Sequence, residues 1–87
     1  MGKQKEGHEV VQAYILIQTG VGQAAGVTRE IAQITGVADA VDVTGPYDVI
    51  ARVHATSVDD LGQLVVARIQ EVKGVTRTLT CTIVNVQ

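Results

Sequence analysis

Residues 37–55 read VADAVDVTGPYDVIARVHA, and the middle of that stretch decides the fold. Val41 and Val43 alternate with Asp42 and Thr44, the period of a strand with two unlike faces. Gly45-Pro46 then breaks the pattern, because Pro fixes φ and Gly permits backbone conformations closed to other residues. From Tyr47 to Ala55 the alternation resumes. Tyr47, Val49, Ala51, Val53 and Ala55 share one face, and Asp48, Ile50, Arg52 and His54 share the other. Strands joined by so short a turn run antiparallel, since a parallel pair needs a crossover of about a dozen residues or more.

Working outward, Val10 to Gln18 (VVQAYILIQ) is a strand by composition, and Gly20-Val21-Gly22 ends it. Val27, Ile31 and Ile34 fall at i, i+4 and i+7, the stripe of a short helix. Gly36 follows and suits a left-handed cap, and Val37 to Thr44 is the second strand. Beyond the third strand, Ser57 with Asp60 resembles a capping box. Leu61, Leu64, Val65, Ile69 and Val72 make a second helical stripe that Lys73-Gly74 ends. Val75 to Val86 is a last strand with alternating threonines. Sixteen Val, seven Ile and nine Thr against four Leu, with no Phe or Trp, support a sheet-rich reading. The order is β-α-β-β-α-β. Ile34-Thr35-Gly36-Val37 recurs as Val72-Lys73-Gly74-Val75 after 38 residues, so two similar halves build an α+β, ferredoxin-like domain.

Eighty-seven residues make one domain, read as 10–87 behind a polar tail at 1–9. A net charge of −2 without a basic cluster past residue 5 argues against direct nucleic-acid binding, which needs cations to neutralise phosphates. The single cysteine, Cys81, forms no internal disulfide and fits a reducing, cytoplasmic setting. Apolar stretches stay under ten residues, too short to span a membrane.

Two helices cover one face of a four-stranded sheet. The expected helix side carries Val11, Ala13, Ile15, Ile17, Val49, Ala51, Val53, Leu79, Cys81 and Ile83. The other side then carries Gln12, Tyr14, Leu16, Ile50, Arg52, His54, Thr78, Thr80, Thr82 and Val84. Such a half-apolar face suits docking on a second copy, with sheets packed about 10 Å apart through a two-fold contact. A core this small is usually supplemented. Tyr14, Leu16, Ile50, Arg52 and Val84 are the expected dimer interface.

Other motifs are weaker. Gly20-Val21-Gly22-Gln23-Ala24-Ala25 fits G-x-G-x-x-A after a strand and before a helix, with Asp42 at the end of the next strand. An antiparallel hairpin does not suit a dinucleotide fold, so this reads as a loop entering a helix, and no cofactor is expected. His8 and His54 have no carboxylate or cysteine at ligand spacing, so no metal is expected. Cys81 reads as a packed residue. Tyr14 and Tyr47 fall on opposite faces by parity, which does not suit base stacking.

Gly45-Pro46-Tyr47-Asp48 differs. A rigid turn opens onto a Tyr and a carboxylate at a sheet edge, with the threonine ladder across the sheet. Asp48 suits an ammonium group, while hydroxyls and the Gly45 N–H suit a carboxylate. Together they would take a zwitterion such as an amino acid. The alternative is that Asp48 caps the turn and Tyr47 is core.

Val43-Thr44-Gly45-Pro46-Tyr47-Asp48, the Ser57-Val58-Asp59-Asp60-Leu61 helix start, Gly74-Val75 and Thr78-Leu79-Thr80 resemble the effector-binding (RAM) domain of the Lrp/AsnC regulator family, over Val10 to Val86. The resemblance implies a dimeric α/β barrel, assembly of dimers into rings such as octamers, and amino acids or related molecules bound near the loop before the third strand. The positions that match are Gly45, Tyr47, Asp48, Thr78 and Thr80. Full-length members carry an N-terminal helix-turn-helix domain, whereas nine residues precede the first strand here. The expectation is a stand-alone effector domain that senses an effector and partners itself and full-length relatives. The competing readings are a small dimeric α/β-barrel enzyme of monooxygenase or isomerase type, using Tyr14, Arg52 and His54, and a purely structural oligomer.

Overall fold

The computed structural model describes residues 10–84; the polar tail at 1–9 and the end of the last expected strand, 85–87, lie outside the described residues. The expected order is found: β1 (Val11–Thr19), α1 (Ala24–Ala32), β2 (Val37–Asp42), β3 (Val49–Ala55), a helical stretch α2 made of Val58–Asp60, Leu61–Val66 and Ala67–Gln70, and β4 (Val75–Thr82). The strands form one antiparallel sheet in the order β2-β3-β1-β4. Both helical stretches lie on one side. The fold is ferredoxin-like.

The core follows the alternation. Ala13, Ile15 and Ile17 from β1 and Val49, Ala51 and Val53 from β3 are completely buried. Val27 and Ile31 of α1 and Leu61, Val65 and Ile69 of α2 close over them. No buried residue among those described is polar, so the core contributes through apolar burial alone.

Helix α2 departs from the expected stripe. Its start is capped as anticipated, with Ser57 Oγ accepting from the Asp60 N–H at 3.0 Å. Over Leu61–Val66 the hydrogen bonds then reach back five residues, as from Ala67 N to the Gly62 carbonyl. An α-helix turns in about 3.6 residues, so a step of four overshoots; a wider turn undershoots. Mixing the two brings Leu61, Val65 and Ile69 into line and turns Leu64 outward, where it is 60% exposed. Leu64 is therefore not a core residue.

The last strand corrects the expected faces. Val75 packs against the core, and strict alternation from it places 77, 79, 81 and 83 on the helix side. The β1–β4 register shifts between Gln18 and Thr19, where Gln18 pairs with Arg77 but Thr19 with Val75. Thr76 is the extra residue of this bulge, and one added residue moves every later side chain to the opposite face. Thr78, Thr80 and Thr82 pair with Ile17, Ile15 and Ala13 and so lie on the helix side. Leu79 and Cys81 pair with Leu16 and Tyr14 on the open side. Cys81 is exposed, not packed. Threonines are tolerated on the helix side because β4 is an edge strand, where Thr80 and Thr82 remain exposed.

The two halves hold each other through their glycines. Gly36 and Gly74 both have left-handed φ, +99° and +103°. A Cβ on Gly36 would lie 2.6 Å from Val65 Cγ2, and one on Gly74 would lie 2.9 Å from Val27 Cγ2 and against the Gln23 side chain. Val27 and Val65 are 38 residues apart, as are Gly36 and Gly74. Each half thus seats the other half's helix valine on its own glycine. Gly36→Ala and Gly74→Ala should each destabilise by about 2–4 kcal/mol, from backbone strain plus overpacking. Gly62→Ala, where a Cβ meets nothing within 4 Å, should be neutral or stabilise by up to about 1 kcal/mol. Denaturant unfolding of the three variants checks this.

Candidate functional site

The turn between β2 and β3 is longer than the expected tight hairpin. Residues 43–48 lie outside both strands, and the loop closes where Val43 N donates to the Asp48 carbonyl at 3.0 Å. Gly45 has φ +152°, a conformation that disfavours side chains. The loop is tied to the centre of the sheet. Asp48 N donates to the Ile17 carbonyl at 2.8 Å, and Gln18 Nε2 donates to the Pro46 carbonyl at 2.9 Å.

The Asp48 side chain makes the tightest of these ties. Its Oδ2 accepts from the Thr19 backbone N–H at 2.8 Å and from Thr19 Oγ1 at 3.3 Å. A carboxylate accepting a main-chain N–H at a partly buried strand end is a strong, charge-assisted bond. Thr19 stands 29 residues away in the chain and carries no signal in the sequence that would pair it with Asp48.

Beside the loop lies an apolar groove of about 480 Å³, lined by Leu16, Val43, Thr44, Gly45, Pro46, Tyr47 and Ile50. Leu16 and Ile50 form its floor and face each other across β1 and β3. Gly45 and Tyr47 therefore line the groove, and Asp48 anchors it. Thr78 and Thr80 sit elsewhere within the protomer. They lie on the helix side of the sheet, where Thr78 Oγ1 accepts from Gln70 Nε2 at 3.0 Å, while the groove opens toward the helix-free side. Val43 and Thr44 were missed as lining residues, although they belong to the same motif and directly precede its glycine.

The helix-free side carries two rows in register across the four strands. Val41, Ile50, Leu16 and Leu79 form an apolar row, and Asp39, Arg52, Tyr14 and Cys81 form a second. Leu79 is 45% exposed and Tyr14 43%. Four of the five expected interface residues, Tyr14, Leu16, Ile50 and Arg52, stand together on this face. Val84 lies past the end of β4 and is almost wholly exposed. Arg52 pairs with Asp39 at 3.1 Å, and no hydrogen bond among the described residues joins Tyr14, Arg52 and His54. The glycine-rich loop at 20–25 enters a helix within an all-antiparallel sheet, which does not build a dinucleotide fold. No helix among the described residues is long and apolar enough to cross a membrane.

Residues 12–86 match the family model of the Lrp/AsnC ligand binding domain. The chain belongs to that family. An uncharacterized HTH-type transcriptional regulator of Pyrococcus furiosus is 33% identical over 72 residues, covering 78% of this chain and 47% of the relative. The chain thus spans about half the length of the curated regulators it matches. The crystal structure of TTHA0845 from Thermus thermophilus superposes with a TM-score of 0.81 at 31% identity, covering 88% of this chain and 96% of that one. A 54-residue stretch is also 39% identical to part of the homocitrate synthase of Sulfurisphaera tokodaii, covering 62% of this chain and 12% of the enzyme. As an Lrp/AsnC ligand-binding domain, the chain is a regulatory, effector-binding module.

Asp48→Ala leaves the Thr19 N–H without its acceptor and should cost about 1–3 kcal/mol. Asp48→Asn keeps an acceptor oxygen and should cost less. Urea denaturation of both variants measures the difference.

Proposed function

We propose that this Lrp/AsnC domain binds an amino acid at the 43–48 loop and acts as an oligomer whose unit is a dimer packed through the helix-free face. The observation that carries the reading is the groove at that loop, formed by the stretch whose sequence motif resembles the family's effector site and anchored to the sheet through Asp48. A Neisseria meningitidis regulator of the same fold, 16% identical with a TM-score of 0.74, was crystallised as a complex with L-Met. This supports an amino acid as the class of effector. Within one protomer the groove supplies Gly45 and Tyr47, and Asp48 holds the loop; Thr78 and Thr80 would contribute from another protomer of an assembly.

The dimer reading rests on the two rows of the open face. Val41, Leu16, Ile50 and Leu79 are apolar and in register, and a contiguous patch of this kind marks an interaction site. Dimers of dimers, or rings such as octamers, would follow from further contacts. Lrp/AsnC regulators that carry a DNA-binding domain are candidate partners through the same face. The reading is of a cytoplasmic sensor; it is not of an enzyme, because Arg52 is engaged by Asp39 and no hydrogen bond among the described residues joins Tyr14 and His54 into an acid–base set.

Two experiments test this. In sedimentation equilibrium the protein should be a dimer or larger at micromolar concentration, and Leu16→Asp should weaken self-association at least about 100-fold, since a buried unpaired carboxylate costs several kcal/mol. Leu64→Asp, on the exposed side of α2, should leave assembly unchanged. In a thermal-shift screen of the common amino acids, at least one should raise Tm, with the gain reduced in Asp48→Ala; no gain with any of them would overturn the effector reading.

A further inference from the structure

We infer that helix α2 is a two-state element, in which the wide turn over Leu61–Val66 converts to a regular α-helix and draws Leu64 from solvent into the core. Sequence pattern and structure disagree over this stretch, and such conflicts mark strained or functional sites. At about 100° per residue, Leu61, Leu64, Val65, Ile69 and Val72 span an arc of roughly 140°, the width of an ordinary core-facing stripe. A regular helix would therefore bury Leu64 beside Val65. The observed turn instead keeps Val65 buried and leaves Leu64 60% exposed.

The first half of the chain shows what causes the difference. α1 is a regular helix that buries Val27 and Ile31, which stand 38 residues before Val65 and Ile69. Val27 sits on Gly74 as Val65 sits on Gly36. The residue before Val27 is Gly26, whereas the residue before Val65 is Leu64. Glycine has no side chain to bury, so Val27 takes its seat unopposed. Leu64 competes with Val65 for the core, and the seat decides between them: a Cβ on Gly36 would lie only 2.6 Å from Val65 Cγ2, a fit too close for the longer leucine. Winding the helix wide sets Val65 squarely on the glycine and leaves Leu64 outside. The seat is fixed to the sheet, since the Gly36 carbonyl accepts from His54 N of β3 at 2.8 Å, so the helix is the part that moves. Little resists it. Gly62, Gln63 and Leu64 are all exposed, and the first turn, Val58–Asp60, contains no buried residue. Burying Leu64 gains about as much as unseating Val65 loses, because the two side chains differ by one methylene. Two packings so close in free energy are populated together. The conversion decides whether the outer face of the helical layer presents an aliphatic side chain.

The test is methyl relaxation-dispersion and exchange-saturation NMR on the 87-residue protein. The methyl groups of Leu61, Leu64 and Val65 should report a second state, and those of Val27 and Ile31 in α1 should not. Val65→Ala removes two methyl groups from the seat and should raise the ratio of the second state to the first at least about tenfold, the fold-change equivalent to roughly 0.8 kcal/mol for each group. Gly62→Ala changes an exposed position where a Cβ meets nothing within 4 Å, so it keeps the fold even if Val65→Ala does not. Alanine is the better former of a regular helix, and this variant should raise the ratio severalfold. Leu64→Ala takes away the competitor and should abolish the exchange at Leu61 and Val65. A single state at Leu61, Leu64 and Val65 in the native chain and in Gly62→Ala would overturn the inference. Exchange that survives Leu64→Ala, or that is as large at Val27 and Ile31, would overturn it as well, since the motion would then belong to the whole domain and not to the wide turn.

Discussion

Everything in this domain depends on the two-faced character of β1. The strand lies at the centre of the sheet, paired to β3 on one side and β4 on the other. Its odd positions, Ala13, Ile15 and Ile17, are fully buried beneath the helices. Its even positions, Tyr14 and Leu16, face a side that no described element covers. The described residues supply one helical layer, so the second apolar face is left to be covered from outside them. The groove at the 43–48 loop sits at the rim of that face and shares Leu16 and Ile50 with it. Core, proposed interface and proposed effector site are thus three uses of one strand pair.

Most of the fold was legible because the signals were redundant. Alternation, the two helical stripes, the Ser57 cap and the glycines at 36 and 74 all pointed to one topology, and consistency of this kind is what lets a sequence specify a structure. The glycines held more than their cap role. Their close approach to Val65 and Val27 belongs to the packing of two halves against each other, which a local reading does not see.

The failures have physical causes of one kind. Thr76 is an extra residue opposite the Gln18–Thr19 step, and nothing in Val75-Thr76-Arg77-Thr78 marks it, because threonine suits either face of an edge strand. One unmarked residue was enough to exchange Leu79 and Cys81 with the threonines. The wide turns over Leu61–Val66 likewise displaced Leu64 from a stripe that periodicity alone would include it in. At the candidate site the loop itself was legible through Gly45-Pro46-Tyr47-Asp48. The Asp48–Thr19 bond was not, since it joins residues that only the β1–β3 register brings together. That register makes Asp48 an anchor of the loop and leaves the groove lined by groups without charge.

The claim with most resting on it is that a second copy covers the helix-free face. Cys81 reports on this directly, being the single cysteine of the chain and standing beside Tyr14 in that face. The decisive measurement is the rate at which a thiol reagent modifies Cys81 as the protein is diluted. The account predicts slow modification at tens of micromolar, rising toward the rate of an unhindered thiol as the assembly dissociates. A fast rate, independent of protein concentration over the range in which the protein sediments as an oligomer, would contradict it and show that the copies meet elsewhere.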